Sequence, residues 1–144
     1  MMWDRMTKIA AALMGAAAGL LGEWNVLLTV LAWMMCIDYL TGLICAWRGR
    51  SPKTEGGGVS SKAGFDGLAR KGLMMLIVLM ATLLDRAIGT GNALFQTAAA
   101  GYYIANEGIS ILENAGLAGA PYPQKLKELL GQKKEGGSAN DRNA

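Results

Sequence analysis

Four apolar stretches, separated by short charged or glycine-rich segments, dominate the pattern of hydrophobic and polar positions along the chain. They cover residues 9–22, 26–47, 73–89 and 93–112. A helix that crosses a bilayer needs roughly 20 apolar residues, so the stretch 26–47, flanked by Trp24 and Trp47, is the clearest span. The pattern predicts an all-α, polytopic membrane protein with four transmembrane helices in a single domain, residues 1–132.

The first stretch, 9–22, is short for a span and has two alternative interpretations. It can lie on the membrane surface, which leaves three spans, or it can be a secretory signal, since Arg5 and Lys8 precede a short apolar segment. Gly15 and Gly19 form a small-xxx-small spacing that favours close packing of helix backbones. We therefore expect these two glycines to be helix-packing positions.

The polar segment between the second and third stretches, 48–72, predicts a flexible loop that ends in a short amphipathic helix. Its first part contains Pro52 and three consecutive glycines. The pattern from Ser61 onward predicts a helix on the membrane surface, whose basic side chains contact lipid headgroups. These membrane-surface basic residues are Lys62, Arg70 and Lys71.

The basic residues also predict the orientation of the chain. With four spans, the N-terminal bases, those of the 48–72 loop and those of the C-terminal segment all fall on one side of the membrane. The positive-inside rule assigns that side, and both termini, to the cytoplasm. At the C-terminal end, residues 123–130 predict a short amphipathic helix, and 133–144 predict a disordered tail.

Composition argues against an enzyme, a metal site or a cofactor. The chain contains no histidine, which removes the commonest general base and most transition-metal sites. Cys36 and Cys45 lie nine residues apart in a predicted helix and so point to opposite faces, where they can neither bridge nor share a metal. The net charge of +3 comes without an aromatic platform or a binding motif, so nucleic acid is not an expected partner.

Two predicted spans carry polar side chains that are costly in lipid. The aspartate in "MMCIDYLTGL", Asp38, would cost roughly 2.5 to 3.5 kcal/mol at the bilayer centre, so it should face protein or water. A stripe along the second span comprises Asp38, Thr41, Gly42 and Cys45, and a stripe along the fourth comprises Asn106, Ser110, Glu113 and Asn114, with Glu107 beside it. Three interpretations stay open: packing contacts that fix helix register, the lining of a lumen, or a paired-carboxylate site for an ion or proton.

Several motifs, taken in order, resemble a known family. They are "IDYLTGL" in the second span, "SSKAGFDGLARKG" at the end of the loop, and "YYIANEGISILENAGLAGAPYPQKLKELL" from Tyr102 to Leu130. Together they are similar to the phage holins, the family that includes the clostridial toxin-release holins. The resemblance covers about Val26 to Gln132, and its motif residues are Asp38, Tyr39, Thr41, Gly42, Ser61, Lys62, Gly64, Gly67, Lys71, Asn106, Glu107, Ser110, Glu113, Asn114, Gly116, Pro121, Pro123 and Leu126.

The resemblance implies a phage protein of the bacterial inner membrane that forms homo-oligomers and opens lesions, through which an endolysin or a toxin leaves. It implies no catalytic residue and no cofactor, and an antiholin as a further partner. Candidate oligomer or lesion-lining residues are Asp38, Thr41, Gly42, Asn106, Glu107, Ser110, Glu113 and Asn114. The alternative functions are an antiholin-like regulatory membrane protein and a small ion-coupled transporter.

Overall fold

The fold, taken from a computed structural model, is described for residues 1–22, 24–89 and 91–139, with the side chains of 133–139 left aside. Within these ranges the chain is helical and contains no strand, in agreement with the predicted all-α class. The elements are α1 (Met2–Leu21), α2 (Val26–Trp47), a short 3-10 turn (Glu55–Gly57), α3 (Ser61–Ile88), α4 (Leu94–Leu117) and α5 (Gln124–Ala139).

Local capping chemistry explains where the two longest apolar helices begin and end. The Asn25 side chain accepts a hydrogen bond from the Leu28 N–H at the start of α2, and Ser60 does the same for Ala63 at the start of α3. Each side chain satisfies one of the N–H groups that a helix start leaves without an intrahelical partner. Gly89 ends α3 with a left-handed backbone, φ 70°, which a glycine adopts without a steric penalty.

The third span and the segment before it differ from the prediction. Where the sequence predicts a surface helix followed by a separate span at 73–89, the structure has one continuous helix of 28 residues, α3. The reason is that no proline and no cap interrupts the sequence between Ser61 and Ile88. The loop is therefore 48–60 rather than 48–72.

The C-terminal helix is longer than predicted. The pattern predicts a helix over 123–130 and a disordered tail over 133–144, but α5 continues as far as Ala139. Lysine, glutamine and glutamate, which favour helix, follow Gly131 and allow the extension. Residues 140–144 lie outside the described part of the chain.

Helix α4 lies at the centre of the bundle, since it packs against α2, α3 and α5, while α1 packs against α3. Asn25 at the start of α2 contacts Gln96 at the start of α4, so these two helices run in the same direction. Helix α3 runs the opposite way. We call the end of the bundle near residues 48–60 the loop end, and the end near residues 89–93 the turn end.

A small apolar core lies between these helices. It consists of Leu21, Leu28, Leu31, Met35, Met74, Val78 and Ala100. Large apolar side chains also cover the outside, for instance Trp33, Leu73 and Leu76, each more than half exposed. An apolar outer surface of this extent is unusual for a protein in water and fits a lipid environment.

Two helices among the described residues, α2 and α3, are long and apolar enough to cross a membrane, fewer than the four that the pattern predicts. The apolar part of α1 is short, because Asp4, Arg5 and Lys8 occupy its first turns. Helix α4 has sufficient length, but its polar stripe lowers its hydropathy. The two cysteines are free; Cys36 is exposed and Cys45 is buried, as their opposite helical faces predict.

Candidate functional site

The two polar stripes meet at a lysine from a third helix. The Nζ atom of Lys71 on α3 lies 2.7 Å from Oδ2 of Asp38 on α2 and also forms an ion pair with Oε2 of Glu107 on α4. Asp38 is 5% exposed and Glu107 is 2% exposed, and the Lys71 side chain is 12% exposed. One ammonium group therefore joins three helices and faces two carboxylates.

An amide extends this contact between α2 and α4. Nδ2 of Asn114 lies 3.3 Å from Oδ1 of Asp38 and 3.3 Å from Oγ1 of Thr41. The Thr41 hydroxyl donates in turn to the Asp38 carbonyl oxygen at 3.0 Å. We call Asp38, Thr41, Lys71, Glu107 and Asn114 the Lys71 cluster.

Helical spacing explains why these side chains converge. Asp38 and Thr41 are three residues apart on α2, and Glu107 and Asn114 are seven apart on α4, so each pair shares one face of its helix. Lys71 and the buried positions 74, 78, 82 and 85 of α3 follow one another at intervals of three or four residues, so they share one face of the helix. It therefore belongs to the face of α3 that turns towards α2 and α4.

Lys71 is placed differently from the other two residues with which the sequence groups it. Lys62 and Arg70 are exposed on α3, as expected for side chains at a membrane surface, whereas Lys71 lies inside the bundle. The buried role of Lys71 was missed by the sequence interpretation, which weighed its basic neighbours. Its register with Met74 and Val78 is the signal that predicts it.

The remaining candidate positions lie around the cluster or apart from it. A Cβ at Gly42 would lie 3.5 Å from Nδ2 of Asn114, so this glycine is in contact with the cluster. Glu113 lies outside the cluster and pairs with Lys127 of α5 at 3.2 Å. Gly15 and Gly19 on α1 have open space where a Cβ would be, so none of the described helices packs on them.

A cleft of about 140 Å³ leads to the cluster from the loop end. Its lining includes Asp38, Lys71 and Glu107, and the candidate residues Asn106 and Ser110 also contribute. The polar side chains of α2 and α4 thus border one space between the helices. Lys53 and Arg70 also line it, so two acidic and three basic side chains border this space.

A second polar cluster lies at the turn end. The Asp85 carboxylate accepts hydrogen bonds from the N–H groups of Phe95 and Gln96, at 2.9 and 2.8 Å, and so caps the start of α4. Nε2 of Gln96 donates to Thr82 at 2.7 Å, and Oε1 of Gln96 accepts from Nδ2 of Asn25 at 2.9 Å. We call Asn25, Thr82, Asp85 and Gln96 the turn-end cluster.

The two clusters together account for all six buried polar side chains among the described residues, namely Asp38, Thr82, Asp85, Gln96, Glu107 and Asn114. No buried side-chain nitrogen or oxygen in the described part of the chain lacks a hydrogen-bond partner. Burial of an unpaired polar group costs several kcal/mol in hydrocarbon, so complete pairing allows the polar stripes to exist inside a membrane.

Helix α5 folds back along α4 and covers part of it. The Leu130 side chain and the Met34 side chain both reach the position where Gly108 would carry a Cβ, at 3.0 and 3.2 Å. The Tyr122 ring lies 2.7 Å from the corresponding position at Gly116. Glycine at these two positions therefore permits the close approach of α5 and of the turn before it.

Comparison with known proteins identifies a family for this chain. The sequence model of the Bacteriophage holin family matches residues 15–135. A 14.9 kDa protein encoded in the nagH 3' region of Clostridium perfringens is 40% identical over 111 residues, which are 77% of this chain and 79% of the relative. A probable holin of Bacillus phage phi105 is 33% identical over 115 residues, which are 80% of this chain and 78% of the phage protein. No solved structure matches the chain.

Proposed function

The chain belongs to the bacteriophage holin family, and from this premise we propose that it oligomerises in the bacterial cytoplasmic membrane and opens lesions through which an endolysin escapes to lyse the host. The observation that carries the proposal is the family match over residues 15–135, which includes the three helices that bring the Lys71 cluster together. The apolar outer surface and the two helices long enough to span a bilayer support a membrane location.

We propose four spans, with α1 and α4 added to α2 and α3, and with both termini in the cytoplasm. Helix α4 supports this arrangement because its least favourable side chains, Glu107 and Asn114, are buried against α2 and α3 instead of facing lipid. The basic residues of the loop, Arg48, Arg50 and Lys53, then lie at the cytoplasmic surface together with the bases at the start of α1.

The Lys71 cluster suggests how a single chain stays harmless to the membrane. Its polar side chains satisfy one another inside the bundle, and the core around Leu31, Met35 and Val78 closes the bundle beyond them. In the described part of a single chain, the buried polar side chains are thus all paired within the bundle. The polar stripes remain the candidate contacts between copies, or lesion lining, once assembly gives them a second arrangement.

The test is induction of the gene in bacteria while membrane potential and leakage of a cytoplasmic enzyme are recorded together. A holin that makes lesions predicts an abrupt loss of potential followed by release of the enzyme. Co-expressed endolysin should then lyse the culture at that moment, whereas endolysin alone should not.

Two outcomes would contradict the proposal. A membrane that keeps its potential while the chain accumulates would exclude lesion formation, and solute uptake under those conditions would indicate a transporter. A chain that only delays lysis by a separate holin would instead be an antagonist, the antiholin-like alternative.

A further inference from the structure

We propose that copies of this chain assemble by exchanging helices, with α2 of one copy pairing with α3 and α4 of the next through the same contacts that close the single chain. The proposal rests on the proposed function, because it specifies how a lesion-forming protein oligomerises. The exchanging parts are residues 1–47, which we call the front half, and residues 61–139, which we call the back half.

The chemistry of the interface favours exchange over a new surface. Asp38 of the front half is complementary to Lys71 and Asn114 of the back half, at 2.7 and 3.3 Å, and Asn25 is complementary to Gln96 at 2.9 Å. These groups have their partners within one chain, so a different polar contact between copies would first have to break existing pairs. Exchange re-forms each of them with the neighbour's half, and no polar group is left in lipid.

The connection between the halves is suited to this exchange. It consists of residues 48–60, a segment of 13 residues that can extend to roughly 43 Å. Closed, it is held largely by hydrogen bonds within itself, such as the Ser51 N–H bonded to the Gly57 carbonyl at 3.0 Å. One bond joins it to the back half, from the Arg50 guanidinium to the Leu117 carbonyl at 3.2 Å. Gly49, Gly56 and Gly57 have positive φ angles of 70°, 79° and 76°, so the loop bends at positions where the backbone is free to change.

The back half is better suited than the front half to remain one unit during exchange. Asp85 bonds two N–H groups at the start of α4 only a few residues further along the chain, and Lys71 pairs with Glu107 inside the same half. Helix α5 also packs on α4. Opening at 48–60 therefore separates α2 from a hairpin that keeps its own internal contacts, and the packing of α1 on α3 re-forms with the neighbour.

Exchange makes assembly depend on accumulation. Within one chain the loop holds the two halves at an effective concentration on the order of millimolar, which favours the closed single chain at low expression. As the chain accumulates in the membrane, a neighbour's half competes for the same site. Each exchanged pair leaves one front half and one back half free, so head-to-tail growth continues until a ring closes or an array forms.

The decisive experiment is cross-linking between differently tagged full-length chains in the membrane, with Cys36 and Cys45 replaced by alanine. One chain carries Gly42→Cys and the other carries Asn114→Cys, because a Cβ at position 42 lies 3.5 Å from the Asn114 amide nitrogen. A short bifunctional thiol reagent should join the two tags, with a yield that rises as expression rises. The matched control replaces Asn114→Cys by Gly101→Cys, an exposed position on the same helix, and should give little product.

Lysis by the parent chain, measured at the same membrane level, separates this inference from the function, because Asn114→Cys removes a member of the Lys71 cluster. If a chain with both cysteines links only to itself while differently tagged chains never link, exchange is overturned, even where the parent chain lyses its host normally. If the two tags link but the parent chain causes neither loss of potential nor release of enzyme, exchange stands and the proposed function fails.

A functional readout adds a second line of support. Chains with Asp38→Leu and chains with Lys71→Met each lack a complete cluster, but random exchange between them re-forms about one complete site in four. Co-expression at constant total level should therefore bring lysis forward compared with either variant alone. Lysis no faster than that of the better single variant would count against exchange.

Discussion

The Lys71 cluster and the turn-end cluster hold the same helices together through different kinds of contact. The two ion pairs of the Lys71 cluster join side chains that lie 33 and 36 residues apart in the sequence. In the turn-end cluster, the Asp85 carboxylate binds backbone N–H groups 10 and 11 residues away, across a short turn. The contacts of the Lys71 cluster are thus charged and remote in sequence, whereas those of the turn-end cluster are mostly local.

The two clusters therefore have different expected roles in assembly. Local backbone contacts re-form wherever the α3–α4 hairpin folds, so they keep the hairpin together in any assembly. Contacts between remote side chains can form within a chain or between chains with the same geometry. We infer that the turn-end cluster maintains the α3–α4 hairpin. The Lys71 cluster then determines whether this hairpin packs against α2 of its own chain or of a neighbouring copy.

The largest effect is expected from Lys71→Met, which removes the cation that pairs with both Asp38 and Glu107. Loss of one partner from a buried ion pair typically costs about 3–5 kcal/mol, because a charge remains uncompensated. The measurement is the resistance of detergent-solubilised protein to unfolding by SDS. Arg70→Met, the exposed neighbour, is the matched control and should change stability by less than about 0.5 kcal/mol. Equal effects of the two variants would show that Lys71 is not a special contact.

Asp38→Leu should have the next largest effect. Lys71 keeps Glu107, but the Asn114 amide loses an acceptor on α2, a loss worth about 1–3 kcal/mol. The variant should still insert in the membrane, while lysis begins later or remains incomplete. Asp38→Asn keeps the shape and an acceptor oxygen but loses the charge that pairs with Lys71, so it should delay lysis less than Asp38→Leu does. Unchanged lysis kinetics of Asp38→Leu at equal expression would eliminate a role for this residue.

Asp85→Ala tests the local contact of the turn-end cluster. It removes the acceptor for two N–H groups at the start of α4, so stability should fall by about 0.5–2 kcal/mol, the usual range for a lost helix cap. Asp66→Ala, an exposed position on the same helix, is the control. The distinctive expectation is that Asp85→Ala lowers stability more than it alters the yield of cross-links between copies. A loss of cross-links equal to that of Lys71→Met would show that the two clusters do not have different roles in assembly.

Lys127→Ala should have the smallest effect. Its ion pair with Glu113 at 3.2 Å is solvent-exposed, and such pairs contribute about 0–1 kcal/mol. Lysis onset should be close to that of the parent protein, and Lys125→Ala serves as the control. A delay as long as that of Asp38→Leu would place Glu113 among the residues that govern assembly.

The hydrophobic pattern predicted the all-α class and the bounds of α2, but it predicted neither the continuous α3 nor the way the helices combine. The bounds of α2 follow from the apolar run and the Asn25 cap, so 26–47 agrees with the observed helix. The continuous α3 was not predicted, because polar residues before Leu73 were interpreted as a surface helix although nothing in the sequence breaks the helix there. Polarity marks a change of environment and does not mark a change of secondary structure.

The candidate site was predicted in parts. The cost of burying Asp38 indicated that it avoids lipid, and helical spacing grouped it with Thr41 on one helix and grouped Asn114 with its neighbours on another. The partner that joins the two stripes, Lys71, was assigned to the membrane surface because a contact between residues 33 positions apart leaves no periodic trace in the sequence. Register along α3 points to an inward face, and only the packed bundle shows what meets it.

We propose that the contact of Lys71 with both carboxylates controls lysis by this member of the holin family. The most direct test is the time course of cytoplasmic enzyme release after induction, for the parent chain, Lys71→Met and Arg70→Met at matched membrane levels. We expect abrupt release for the parent and for Arg70→Met, and strongly delayed or absent release for Lys71→Met. Release from the Lys71→Met culture at the parent's time and extent would contradict it.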